Sequence, residues 1–157
     1  MYVEEVPDMV TTIRTDSSNT RFQELVTALD AEMAVRDGED HAFYAPFNET
    51  DKMKFVVLAC KGEEAVGCGA LREHSGKVME VKRMFVPLQH RGKGIASVVL
   101  LELEKWAREM HYEQCILETG ANLPEAIQLN TKNKYVVIPN YGPYANKANS
   151  IFFGKQL

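Results

Sequence analysis

The amino-acid sequence predicts a mixed α/β (α+β) fold: a twisted, mostly antiparallel sheet with a central pair of parallel strands and helices on both faces. Two apolar runs at residues 54–61 and 64–74, joined by a short glycine turn, predict the antiparallel part. A strand at 78–86, a helix at 94–111 and a strand at 114–118 predict the parallel pair. With 157 residues, 45% of them hydrophobic, the chain has the length of a single domain spanning residues 1–157.

Two elements are predicted before the hairpin that the runs at 54–61 and 64–74 form. Residues 9–15 are rich in β-branched side chains and predict a strand. The apolar residues that follow recur every three or four positions and therefore predict a helix. Ser18 or Asn19 can cap this helix, and Gly38 can end it. Residues 41–48 hold three aromatics beside a proline without a clear period. They either line a substrate pocket or cover the core.

The predicted strands at residues 64–74 and 78–86 carry the features that bear on function. Gly67 and Gly69 leave one face of their strand open to a neighbouring chain or a ligand, or else mark a bulge. The strand at residues 78–86 has charged side chains on both faces. Burying such charges costs free energy unless they are paired or solvated, so one face should border a cleft. Glu80 is then either a catalytic group or a structural partner of Lys82. Strict alternation places on one face Glu80, Lys82, Met84 and Val86, and on the other Met79, Val81, Arg83 and Phe85.

The remaining elements complete the sheet and its helices. The helix at 94–111 has a broad apolar face for packing, with Glu104 and Arg108 on a solvated edge. A helix is predicted at residues 123–133, and strands are predicted at residues 135–138 and 150–153.

The loop after the central strand has the composition of an anion-binding site. Pro87 ends the strand, and glycines at positions 92 and 94 permit a positive φ or a close approach of backbone to ligand. The free N–H groups of the helix start, with Arg91 and Lys93, suit a phosphate or pyrophosphate. The alternative is a glycine-rich turn that only begins a helix.

These residues form a recognisable signature, Gln/Arg-x-x-Gly-x-Gly/Ala, present as Gln89-His90-Arg91-Gly92-Lys93-Gly94. Downstream come Leu117-Glu118-Thr119-Gly120, Pro124-Glu125-Ala126-Ile127-Gln128-Leu129 and Ile138-Pro139-Asn140-Tyr141-Gly142-Pro143-Tyr144. In this order the segments resemble the GNAT superfamily of acyl-CoA-dependent N-acyltransferases, closely over the second half of the chain and by element order over the first.

The resemblance implies an acetyltransferase that moves an acetyl group from acetyl-CoA to an amine by direct attack. It implies that acetyl-CoA enters a gap between two splayed central strands, without a metal. It assigns to this co-substrate Phe85, Val86, Gln89, Arg91, Gly92, Lys93, Gly94, Ile95, Ala96 and Asn130. Glu80 matches the position of a water-linked base. The acceptor stays open, and the resemblance also admits a homodimer.

The sequence departs from this family at two positions. Relatives commonly have tyrosine, the acid that protonates the thiolate, where this chain has Asn130, and Lys134 replaces the usual glycine. An asparagine amide cannot readily supply a proton, so Tyr141, Tyr144 or a water would do so, or the thiolate leaves unaided. The departure keeps open a second function, a protein that binds acyl-CoA as a sensor or for interaction without turnover.

Composition narrows the partners and the compartment. A net charge of -4 and a pI near 5.6 give no field for nucleic acid or an anionic membrane, and weakly favour a cationic acceptor. The three cysteines show no zinc-binding spacing and predict free thiols in a reducing compartment. With no signal peptide or membrane-spanning run, we expect a cytoplasmic protein.

Overall fold

A seven-stranded sheet forms the centre of the protein in the computed structural model, which describes residues 9–37, 52–142 and 149–157. The predicted aromatic segment 41–48, the helix end at Gly38 and the candidate Tyr144 lie outside the described residues. The strands are β1 Thr11–Thr15, β2 Phe55–Lys61, β3 Glu64–Ser75, β4 Val78–Phe85, β5 Gln114–Gly120, β6 Val136–Ile138 and β7 Ser150–Gln156. The helices within these ranges are α1 Thr20–Asp37, α2 Ile95–Glu109 and α3 Pro124–Lys132.

The order of the strands confirms the predicted fold class. They lie in the order β1-β2-β3-β4-β5-β7-β6. Neighbouring strands pair antiparallel except β4 and β5, which are parallel. The parallel pair arises because the chain crosses over through α2 between these two strands, as the strand-helix-strand pattern predicts.

Helix α1 packs on one face of the sheet, as its apolar spacing predicts. Asn19 caps it, since its Oδ1 accepts hydrogen bonds from the backbone N–H groups of Arg21 at 2.9 Å and Phe22 at 3.1 Å. The α1-side core, as we call this cluster, consists of Phe22, Leu25, Val26, Leu29, Met53, Val56, Leu58, Cys60, Cys68, Ala70 and Phe85.

Helix α2 packs on the opposite face and explains one of the glycines in β3. A Cβ at position 69 would lie 2.8 Å from Leu103 and 2.9 Å from Val99, both in α2, so the helix fits only against glycine. This face is therefore filled by the protein itself rather than open to a ligand. Over the described ranges, no helix has the length and apolar character needed to cross a membrane.

The predicted solvated edge of α2 is wrong for Glu104, which is 0% exposed. Its carboxylate accepts hydrogen bonds from Lys155 Nζ at 2.7 Å and from the Tyr135 hydroxyl at 3.0 Å. Burial raises the pKa of Tyr135, and burial together with the charge of Glu104 raises the pKa of Cys115 to about 12. The helix pattern could not reveal this cluster, because its partners come from other elements.

A bulge in β4 overturns the predicted alternation beyond Lys82. Lys82 pairs with Ala70 and Phe85 with Cys68, so three steps along β4 face two along β3, and Arg83 takes a φ of 57°. Side chains after the bulge therefore change face. Met84 packs with α2, while Arg83 pairs with α1 and Phe85 joins the α1-side core.

Candidate active site

The parallel strands β4 and β5 pair over only three residue pairs, which leaves a gap between their later parts. The pairs are Val78↔Gln114, Met79↔Cys115 and Glu80↔Ile116. Beyond Glu80, β4 continues beside β3 and β5 continues beside β7, each without the other. Backbone groups on the facing edges of Val81–Phe85 and Leu117–Gly120 can therefore pair with a ligand, as an added strand would.

The loop that follows β4 ends in an amide cradle at the start of α2, which we define as residues 91–95. Gly92 and Gly94 have φ values of 78° and 80°, in the left-handed region that favours glycine. Gly94 is the N-cap of α2 and has no side chain that could cap the helix. The first N–H groups of any helix have no intrahelical partner, and at α2 the N-cap residue does not satisfy them either. Apart from its neighbours in sequence, a Cβ at either glycine would meet no atom of residues 9–37, 52–142 or 149–157 within 4 Å. The space above the cradle can hold an anion.

Arg91 is held by the protein beside this cradle. Its Nε donates to the Val86 carbonyl at 2.7 Å, and its Nη2 donates to both carboxylate oxygens of Glu32, at 2.7 and 2.9 Å. These bonds tie the loop to α1. The Arg91 charge is therefore compensated by Glu32, whereas Gln89 and Lys93 are exposed.

Helix α3 ends next to the cradle. The Asn133 side chain donates to Ser97 Oγ in the first turn of α2 at 3.1 Å, a contact that sequence analysis missed. Asn130, one helical turn earlier, is 4% exposed. Lys134 takes a φ of 70°, which explains why a glycine suits that position in the resembling family.

Glu80 lies where the two strands begin to diverge and is held by a residue far away in the chain. The Tyr141 hydroxyl donates to Glu80 Oε2 at 3.1 Å. The Tyr141 ring packs against Phe152, with ring centroids 4.5 Å apart, and against His74 at 5.3 Å. Sequence analysis named both Glu80 and Tyr141, but 61 residues separate them, and no local pattern predicts their hydrogen bond.

Lys82 lies close to the same carboxylate. Its burial lowers the pKa of Lys82, while the charges of Glu80 and Glu118 raise it. The structure therefore leaves both interpretations of Glu80 in place, as a base and as a charge partner of Lys82.

Comparison with known proteins gives the family. The model of the acetyltransferase (GNAT) family matches residues 21–133. The chain is 34% identical over 101 residues to the uncharacterized N-acetyltransferase YsnE of Bacillus subtilis, across 63% of this chain and 67% of YsnE.

Solved structures have the same fold. One from Klebsiella pneumoniae, solved as an acyl-CoA N-acyltransferase, is 29% identical with a TM-score of 0.79 and covers 95% of this chain and 98% of that one. PaiA N-acetyltransferase of Thermoplasma acidophilum, in complex with coenzyme A, has a TM-score of 0.73 at 13% identity, covering 95% and 99% of the two chains. Because the family model spans more than half of the sequence, this chain belongs to the acetyltransferase (GNAT) family.

Proposed function

We propose that this protein transfers an acetyl group from acetyl-CoA to the amine of an acceptor, within one domain that comprises the whole chain. The observation that carries the proposal is the gap between β4 and β5, which begins at Glu80 and runs toward the amide cradle. A pantetheine arm would pair with the free edge of β4, and the pyrophosphate would bind the helix start. Glu80 would then lie beside the reacting thioester.

Glu80 is the proposed general base. An alkylammonium group has a pKa of about 10.4, so most of the acceptor is protonated at pH 7 and must lose a proton before it attacks. The Glu80 carboxylate, oriented by the Tyr141 hydroxyl, would take this proton directly or through water. The nitrogen then attacks the thioester carbonyl, and the carbon–sulfur bond breaks to release the coenzyme A thiolate. The nitrogen gives up its remaining extra proton as the amide forms, to solvent or to the departing thiolate.

The thiolate needs little help to leave. A thiol has a pKa of about 8.5, so its anion is a tolerable leaving group, and Tyr141 or Tyr144 could donate a proton to it. Asn130 would contribute a hydrogen bond to pantetheine rather than a proton.

Release of coenzyme A tests the proposal directly. We expect acetyl-CoA to bind with micromolar affinity and to raise the melting temperature, since it would bind only the folded state. The acceptor panel consists of small amines, polyamines, amino acids, aminoglycosides and peptide N-termini. At least one class should release coenzyme A faster than the hydrolysis of acetyl-CoA that the protein shows without an amine. Binding without acceleration by any amine would instead support a sensor of acyl-CoA, and no binding at millimolar acetyl-CoA would contradict both functions.

A further inference from the structure

Arg83 is a buried cation whose hydrogen-bonding capacity is mostly unused. Its side chain is 2% exposed, and its Nη2 donates to Asp30 Oδ1 at 2.5 Å. Its Nε and Nη1 are buried and have no hydrogen-bond partner in residues 9–37, 52–142 and 149–157. Buried donors are normally satisfied, and a guanidinium cannot lose its proton to avoid the cost. The unsatisfied donors therefore fit an anionic partner.

The bulge brings Arg83 to the face of the sheet that holds Glu80. Residues directly opposite in an antiparallel pair share a face, so the Glu80↔Arg72 and Lys82↔Ala70 pairs lie on one side of β4. Ala70 belongs to the α1-side core, and Arg83 pairs with α1, which packs on that same side. A regular strand would have placed Arg83 on the opposite face, under α2.

Charged side chains of both signs lie near Lys82 on this face. After burial, which lowers the pKa of Lys82 most, the cations Arg72 and Arg83 lower it further, against the carboxylates of Glu80 and Glu118. Among these charged groups, Arg83 is the cation with buried donors that have no partner in the described residues. A purely cationic acceptor, which the net charge of the chain favours weakly, would leave these unsatisfied donors of Arg83 without a partner.

We infer that the acceptor is an amino acid or a similar amino carboxylate, whose carboxylate binds Arg83 while its amine faces Glu80. The inference rests on the proposed function and narrows its acceptor. Arg83 and Glu80 are three residues apart on β4, about 10 Å along a strand, and both side chains are long enough to close on the two ends of a small zwitterion. A guanidinium plane matches a carboxylate better than it matches any uncharged group.

The test compares each amino acid with its carboxamide, with acetyl-CoA as the only acyl donor. The parent protein should accept the acid at least about 10-fold better in kcat/KM, mainly through a lower KM, because a charge-assisted hydrogen bond is lost in the amide. Arg83→Gln should lower kcat/KM for the acid by about 10- to 100-fold and change that for the amide little. Arg83→Lys, which keeps the charge, should recover part of the preference.

Asp30→Asn is the matched control, since it removes the partner of Arg83 but keeps the guanidinium. It should retain the preference for the acid. A merely structural ion pair would give another result: both variants would lower the melting temperature, and neither would alter the ratio of acid to amide.

The parent protein alone separates the remaining outcomes, even if Arg83→Gln does not fold. Equal use of acids and amides would overturn this inference and leave the proposed function standing. Acetyl-CoA binding without turnover of any amine would overturn both.

Discussion

Glu80→Gln is expected to lower kcat by about 100-fold or more at pH 7 while leaving acetyl-CoA affinity unchanged, which is the usual contribution of a general base. The amide keeps the size of the side chain and can still contact the Tyr141 hydroxyl, but it cannot accept the proton of the amine. The deficit should shrink as pH rises, because the amine then deprotonates in solution. Rates from pH 6 to 10 with one accepted amine measure both effects.

Glu118→Gln is the matched control for this experiment. It removes the other carboxylate whose charge raises the pKa of Lys82, without touching the proposed base. If Glu80 only balances the charge of Lys82, the two variants should have similar small effects on rate at every pH, together with lower melting temperatures. Equal rates for the parent and Glu80→Gln at neutral pH would remove Glu80 from the mechanism.

Gly94→Val and Gly92→Val are expected to abolish measurable binding of acetyl-CoA in calorimetry. Apart from its neighbours in sequence, no atom of the described residues lies within 4 Å of the added Cβ at either position, so the new side chain would occupy the space assigned to the pyrophosphate. A positive φ also strains the β-branched residue, by about 1–2 kcal/mol in the left-handed region, and so lowers the melting temperature.

Gly62→Val separates this strain from the loss of the binding site. Gly62 lies between β2 and β3 and has a φ of 59°. An added Cβ there would likewise meet no atom within 4 Å in the part of the chain that the structure describes, apart from its neighbours in sequence. It should lose a similar amount of stability and bind acetyl-CoA as the parent does. Normal binding by either of the other two variants would show that the amide cradle is misplaced.

Local patterns predicted most of the fold. The apolar hairpin, the strand-helix-strand unit and the three-to-four spacing in α1 each depend on neighbours in sequence, and the structure confirms all three. Strand β7 extends to Gln156, past the predicted end at 153, because it pairs with β5 over seven residues. Its last part, Gly154-Lys155-Gln156, has no apolar signal of its own.

The candidate site was only partly predictable, because long-range contacts decide it. The glycine spacing identified the amide cradle. The alternation of side chains along a regular strand, however, cannot reveal the bulge that brings Arg83 to the same face as Lys82. The bond between Arg91 and Glu32 likewise joins two elements whose separation in sequence hides it.

Hydrogen–deuterium exchange of the parent protein, with and without saturating acetyl-CoA, tests the central claim most directly, namely that acetyl-CoA binds between β4 and β5 with its pyrophosphate on the amide cradle. The account predicts slower exchange at residues 91–97 and along the facing edges of β4 and β5, with no change in β1 or β2. Unchanged exchange at residues 91–97, or protection confined to another part of the sheet, would contradict it.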